Sequence, residues 1–107
     1  MGVGRELRRA SGQTPEGPDG EVAAEPEQQL RQVWANLRGV LEGAGARMQD
    51  LVQVRTYLAD RVHREVNSSV RRDVLGSHEP ALTVVVCDLY EDSWVAEVEA
   101  VAVLPAT

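Results

Sequence analysis

The stretch Trp94-Val95-Ala96-Glu97-Val98-Glu99-Ala100-Val101-Ala102-Val103 decides how the rest of the chain is read. Its length, valine content and period-two pattern are those of a β-strand. Alternation puts Trp94, Ala96, Val98, Ala100 and Ala102 on one face, and Val95, Glu97, Glu99, Val101 and Val103 on the other. The first face is small and apolar, so a helix can pack closely on it. The second sets two carboxylates in an otherwise apolar stripe, where desolvation is costly unless each finds partners or water. Two readings follow. Either that face borders solvent and the glutamates keep a β edge soluble, or it lines a wet cleft or subunit interface with a carboxylate placed for proton transfer.

Immediately upstream, Pro80 opens an almost continuous apolar run over residues 82–89, the pattern of a strand covered on both faces, within a sheet or against another subunit. Cys87 in this run reads as a small buried apolar residue, because no histidine or cation stands at a telling spacing. Residues 90–93 make the turn into the final strand. Further back, Val62, Val66, Val70 and Val74 recur every four residues and end at Gly76, which predicts a helix. Asn67, Ser68 and Ser69 within it are poor helix formers, a sign of fraying or of side chains put to use. Leu51 to Leu58 reads as a strand, with Val52, Val54, Thr56 and Leu58 on its core face and Leu51, Gln53, Arg55 and Tyr57 opposite.

The clearest helix begins near Pro26, with Glu25 and Glu27 at the positive end of its dipole. Its apolar stripe is Leu30, Val33, Trp34, Leu37, Val40, Leu41 and Ala44, and Gly45 is a natural stop. Residues 12–20 hold three glycines and two prolines and read as a loop whose glycine spacing fits neither a dinucleotide fingerprint nor a Walker loop. Residues 6–10 form a weak first strand. The order is strand, helix, strand, helix, strand, strand: an α+β layer with helices on one sheet face.

With 107 residues the chain holds one domain, 1–107, in which 1–10 is a weak or truncated N-terminal segment. A 43% apolar, 26% charged composition belongs to a globular chain rather than a disordered one. No run approaches the roughly 20 apolar residues of a membrane span, and no signal-peptide core opens the sequence, so a cytoplasmic protein is expected. A net charge of −6 repels phosphate backbones and anionic membranes, which argues against nucleic acid and membrane partners. One cysteine and two histidines, His63 and His78, predict neither an intrachain disulfide nor a metal site.

Several separated motifs, in order, resemble one family: Ser11-Gly12-Gln13 before a Pro/Gly loop, Leu41-Glu42-Gly43-Ala44-Gly45 closing a helix, Tyr57-Leu58-Ala59-Asp60, Asn67, Pro80-Ala81, and Glu97-Val98-Glu99-Ala100-Val101-Ala102. The chain is thereby identified as a divergent member of the Rid family, also called YjgF or L-PSP endoribonuclease-like, over most of residues 10–103. The resemblance implies a chorismate-mutase-like subunit, a mixed sheet with two helices on one face, assembled as a homotrimeric barrel with clefts between subunits. It implies hydrolytic deamination of reactive enamines or imines to a carbonyl compound and ammonia, without metal or cofactor. Glu97 matches the glutamate that orients the attacking water, and Ser11, Gly12, Asn67, Leu82 and Thr83 match substrate-binding positions.

Two departures accompany the match. The family's carboxylate-binding arginine falls on Leu82, which cannot bind a carboxylate, and Arg55 is the substitute offered by its strand face. The family's first strand and its Gly-Pro-Tyr stretch have no counterpart ahead of Ser11. The alternative reading is therefore a non-catalytic trimer that binds a small metabolite or a protein client. An endoribonuclease is the third, opposed by the charge and by the lack of an acid/base histidine pair.

Overall fold

In the computed structural model, which describes residues 6–104, the final strand is the centre of a four-stranded sheet. The elements are β1 (Glu6–Gln13), α1 (Pro26–Gly43), β2 (Leu51–Leu58), α2 (Arg64–Leu75), β3 (Ala81–Val86) and β4 (Ala96–Leu104), with short 3-10 turns at Met48–Asp50 and Arg61–His63. Strand order is β1-β4-β2-β3. β4 runs antiparallel to both neighbours, while β2 and β3 are parallel and joined through α2. This is the mixed α+β sheet that the sequence predicts. Residues 1–5 of the expected weak N-terminal segment lie outside the described residues; the rest of it is strand, which continues through Ser11 and Gly12 to Gln13.

β4 obeys its alternation. Ala96, Val98, Ala100 and Ala102 are buried, and Glu97, Glu99, Val101 and Val103 are half-buried on the open side. The strand starts two residues later than the pattern suggests. Trp94 belongs to the preceding turn, its amide bonded to the Glu91 carbonyl, and it is buried there beside Tyr90.

The alanines of β4 keep its core face low, and Leu30, Val33, Trp34, Leu37 and Leu41 of α1 fill the space above them, all buried. Burying one such leucine contributes roughly 1.5–3 kcal/mol. Val40, expected in this stripe, is 43% exposed at its margin. Of the buried polar side chains, Gln29 joins the layers: its amide donates to the Ala23 and Ser93 carbonyls and accepts from the Val95 amide. Two backbone groups at the entrance to β4 and one just ahead of α1 are thus tied to the first turn of the helix.

The helix ends as a Schellman motif. The Ala46 amide bonds the Leu41 carbonyl, the Gly45 amide bonds the Glu42 carbonyl, and Gly45 has φ +80°. Arg8 of β1 donates to the Ala44 carbonyl at this negative end.

Three sequence expectations are corrected. A bulge at Val52 shifts the β2–β4 register between Leu51 and Gln53, so Leu51 is buried in the core and Val52 is exposed. α2 is continuous from Arg64, which leaves Val62 in the preceding 3-10 turn, 75% exposed, while Val70 is buried. β3 is shorter than 82–89 and is not covered within the sheet: it is the edge strand, and all six residues are exposed.

Gly39 and Gly45 separate helix propensity from turn geometry, since an added Cβ meets nothing within 4 Å at either. Gly39→Ala, inside α1, should stabilise the protein by about 0.5–1 kcal/mol. Gly45→Ala should destabilise it by about 1–2 kcal/mol, because its φ is left-handed. Urea unfolding of the two variants should shift the midpoint in opposite directions.

Candidate functional site

The open face of the sheet carries the polar chemistry. Pairing across β4 sets Tyr57 beside Glu97, Arg55 beside Glu99, and Gln53 and Arg9 on either side of Val101. Directly paired residues share a face, so these side chains form one surface opposite the helices.

The two glutamates differ in environment. Glu99 Oε1 accepts a 2.5 Å bond from the Tyr57 hydroxyl and a longer, 3.4 Å contact from Arg55 Nη1. Its charge is matched locally, and the same bond raises the Tyr57 pKa above its usual value of 10.0, with Arg55 opposing the rise. Glu97, one turn of the pleat away, has no hydrogen bond or ion pair among the described residues. Its neighbour is backbone. β1 bulges between Ala10 and Gln13, and a Cβ added to Gly12 there would overlap Glu97 Oε2. Glycine lets the bulge lie against the carboxylate, leaving Glu97 half-buried and free to bind something else.

The remaining expected site residues are divided between the two faces. Ser11 is exposed in the same bulge as Gly12. Thr83 pairs with Arg55 and lies on the open face at the sheet edge, whereas Leu82 pairs with Val54 and points to the helix side. Asn67 is on that side too, 2% exposed in α2, with no partner for its Oδ1 among the described residues. Within one subunit Glu97, Gly12 and Ser11 are therefore together, Thr83 is two strands away, and Asn67 and Leu82 are across the sheet. Tyr57 and Arg9 escaped the sequence reading because their place depends on the β2–β4 and β1–β4 registers. Among the described residues no three His, Cys, Asp or Glu side chains could hold a metal ion, and no helix is long and apolar enough to cross a membrane.

The Endoribonuclease L-PSP family model matches residues 4–104. A RutC family protein of Pyrococcus horikoshii is 31% identical over 94 residues, covering 86% of this chain and 75% of the relative. Among solved structures, the YjgF gene product of E. coli superposes with a TM-score of 0.86 at 27% identity, over 96% of this chain and 84% of that one. The Rid-family protein YyfB of Yersinia pestis gives 0.81 at 27% identity, over 92% and 78%.

The Tyr57–Glu99 bond has a titration signature. In a spectrophotometric titration one tyrosine should ionise above the ordinary range, and Glu99→Gln should bring it down. Because the folded-state pKa is the raised one, this bond's contribution to stability is fully present below about pH 10 and lost as pH rises through the folded pKa.

Proposed function

The chain belongs to the L-PSP family, whose members also carry the YjgF, RutC and Rid names, and from that membership we propose that it hydrolyses reactive enamines or imines to a carbonyl compound and ammonia. The observation that carries this reading is Glu97: a half-buried carboxylate without a described partner, held against glycine backbone on the open face. Such a group can accept a proton from water as the water oxygen attacks the imine carbon. That proton passes to nitrogen to give a carbinolamine, and the carboxylate then relays the hydroxyl proton to nitrogen as the C–N bond breaks, so that ammonia leaves and the carbonyl forms. Glu99 is poorly suited to this work, since Tyr57 and Arg55 already hold it. A homotrimer accompanies the reading. Leu82, Val84, Val85 and Val86 are each about two-fifths exposed along a free edge, a surface that another subunit would cover.

Leu82 favours a second reading. Without a cation at that position the anchor for an anionic imine is missing, and the fold would serve as a trimer that binds a metabolite or client without turnover.

Ammonia release from imines generated in situ separates the two. Under the first reading, wild type turns over neutral imines, and Glu97→Gln lowers kcat by 100-fold or more, roughly the share of a general base. Gly12→Ala should unfold near the wild-type midpoint yet lose activity, because Glu97 must swing aside. No ammonia from any imine, together with ligand-dependent thermal stabilisation, would select the binding protein. Sedimentation equilibrium should give three times the subunit mass of 11.7 kDa.

A further inference from the structure

Two arginines of α1 border the seam with α2, and only one is committed there. Arg31 donates to Asp73 of α2 at 2.8 Å and to Glu27 of its own helix at 3.0 Å. Arg38 follows two turns later on the same face. Neither Arg38 nor Glu42, one turn further on, makes an ion pair or side-chain hydrogen bond among the described residues. Their spacing allows a pair, but the cation precedes the anion, which is the less favourable order along a helix.

Both side chains border a hollow of about 330 Å³ at the C-terminal ends of the two helices, the size of a small-molecule site. Its floor is apolar: Met48, Val74 and Leu75 are half-buried against the core and present their remaining surface to it. His78 makes a wall, fixed by a 2.8 Å bond between Nε2 and the Leu51 carbonyl. A carbonyl only accepts, so that nitrogen carries the hydrogen. Arg47 lies at the rim, where its amide and guanidinium keep to Asp50.

The free charges have an order. Glu42 stands in the last turn of α1, at the negative end of the helix dipole, so carboxylate and dipole both favour a cation there. Arg38, one turn back, favours an anion. A ligand of one sign meets attraction from one of these side chains and repulsion from the other, whereas a zwitterion satisfies both.

We infer that this hollow binds an α-amino acid with an aliphatic side chain, its carboxylate on Arg38, its ammonium on Glu42 and its side chain over Met48, Val74 and Leu75. A guanidinium meets a carboxylate through two parallel bonds. Exposed charge pairs alone hold weakly, so burial of the aliphatic side chain supplies the rest of the affinity. The hollow belongs to the helix layer, across the sheet from Glu97, and a barrel of sheets leaves that layer outside. It is complete within one subunit and needs none of the proposed chemistry.

Calorimetric titration with L-leucine at low ionic strength tests this, with isoamylamine, which lacks the carboxylate, and isocaproate, which lacks the ammonium, as comparisons. Saturable leucine binding is expected, with each comparison roughly tenfold weaker or more, the loss of one charge-assisted partner. Arg38→Gln and Glu42→Gln should each weaken leucine by about the same factor. Each should also lose one preference: Arg38→Gln should bind leucine no better than isoamylamine, and Glu42→Gln no better than isocaproate. Both side chains are exposed, and a matching unfolding midpoint shows that each variant is folded. The inference is overturned if wild type shows no saturable leucine binding, if either variant binds leucine as wild type does, or if isoamylamine or isocaproate binds as well as leucine. Glu97→Gln should titrate with leucine as wild type does; weakening there, with Arg38→Gln unaffected, would put the ligand on the open face and overturn it too. Imine turnover lost with leucine binding intact bears only on the proposed reaction, whereas leucine binding lost in wild type condemns the hollow alone.

Discussion

Everything in this fold rests on the close approach of α1 to the core face of β4. That approach is possible because Ala96, Ala100 and Ala102 put almost nothing above the sheet, and Trp34 with four aliphatic side chains of α1 occupies the space. Interiors pack near crystalline density, so a larger residue at any of these alanines would lift the helix or force strained rotamers. The Gln29 clasp fixes where along the strand the helix begins. Hydrophobic packing brings the layers together, and one amide selects their alignment.

The same alternation that buries the alanines presents Glu97 and Glu99 on the opposite face, and position there separates them chemically. Two residues along the strand change which side chain of β2 stands alongside and where the bulge of β1 falls. Glu99 gains a phenol and a guanidinium; Glu97 gains a glycine. Acidic groups identical in sequence thus become one structural acceptor and one uncommitted carboxylate. The open face is wet enough to tolerate both, which reconciles carboxylates in a valine stripe with the high cost of burying charge.

Much of this was legible beforehand. Both helices, the bounds of β2 and the faces of β4 follow from periodicity, and Gly45 announced the end of α1. What escaped depended on pairing. The bulge at Val52 exchanges the faces of Leu51 and Val52, and no local pattern separates a bulged strand from a regular one. The apolar run at β3 promised burial because composition reports that a segment avoids water without saying which molecule does the covering. Gly12 opens a stretch that reads as loop because glycine breaks strands on average; here its laxity lets β1 bulge beside Glu97. Asn67, a poor helix former, sits buried mid-helix, so tertiary packing has overridden propensity.

The central position of β4 also sets the order in which the protein can come into being. The strand that β1 and β2 both require is the last of these four to be made. β2 and β3 can pair across α2 during synthesis, but β1 waits with one hydrogen-bonding edge facing the place of a partner some ninety residues downstream. Closing that loop costs entropy before any contact repays it, and such non-local pairing is slow. The sheet is therefore completed only once β4 has been made, and the bare edges of the nascent sheet are exposed to other chains throughout that interval.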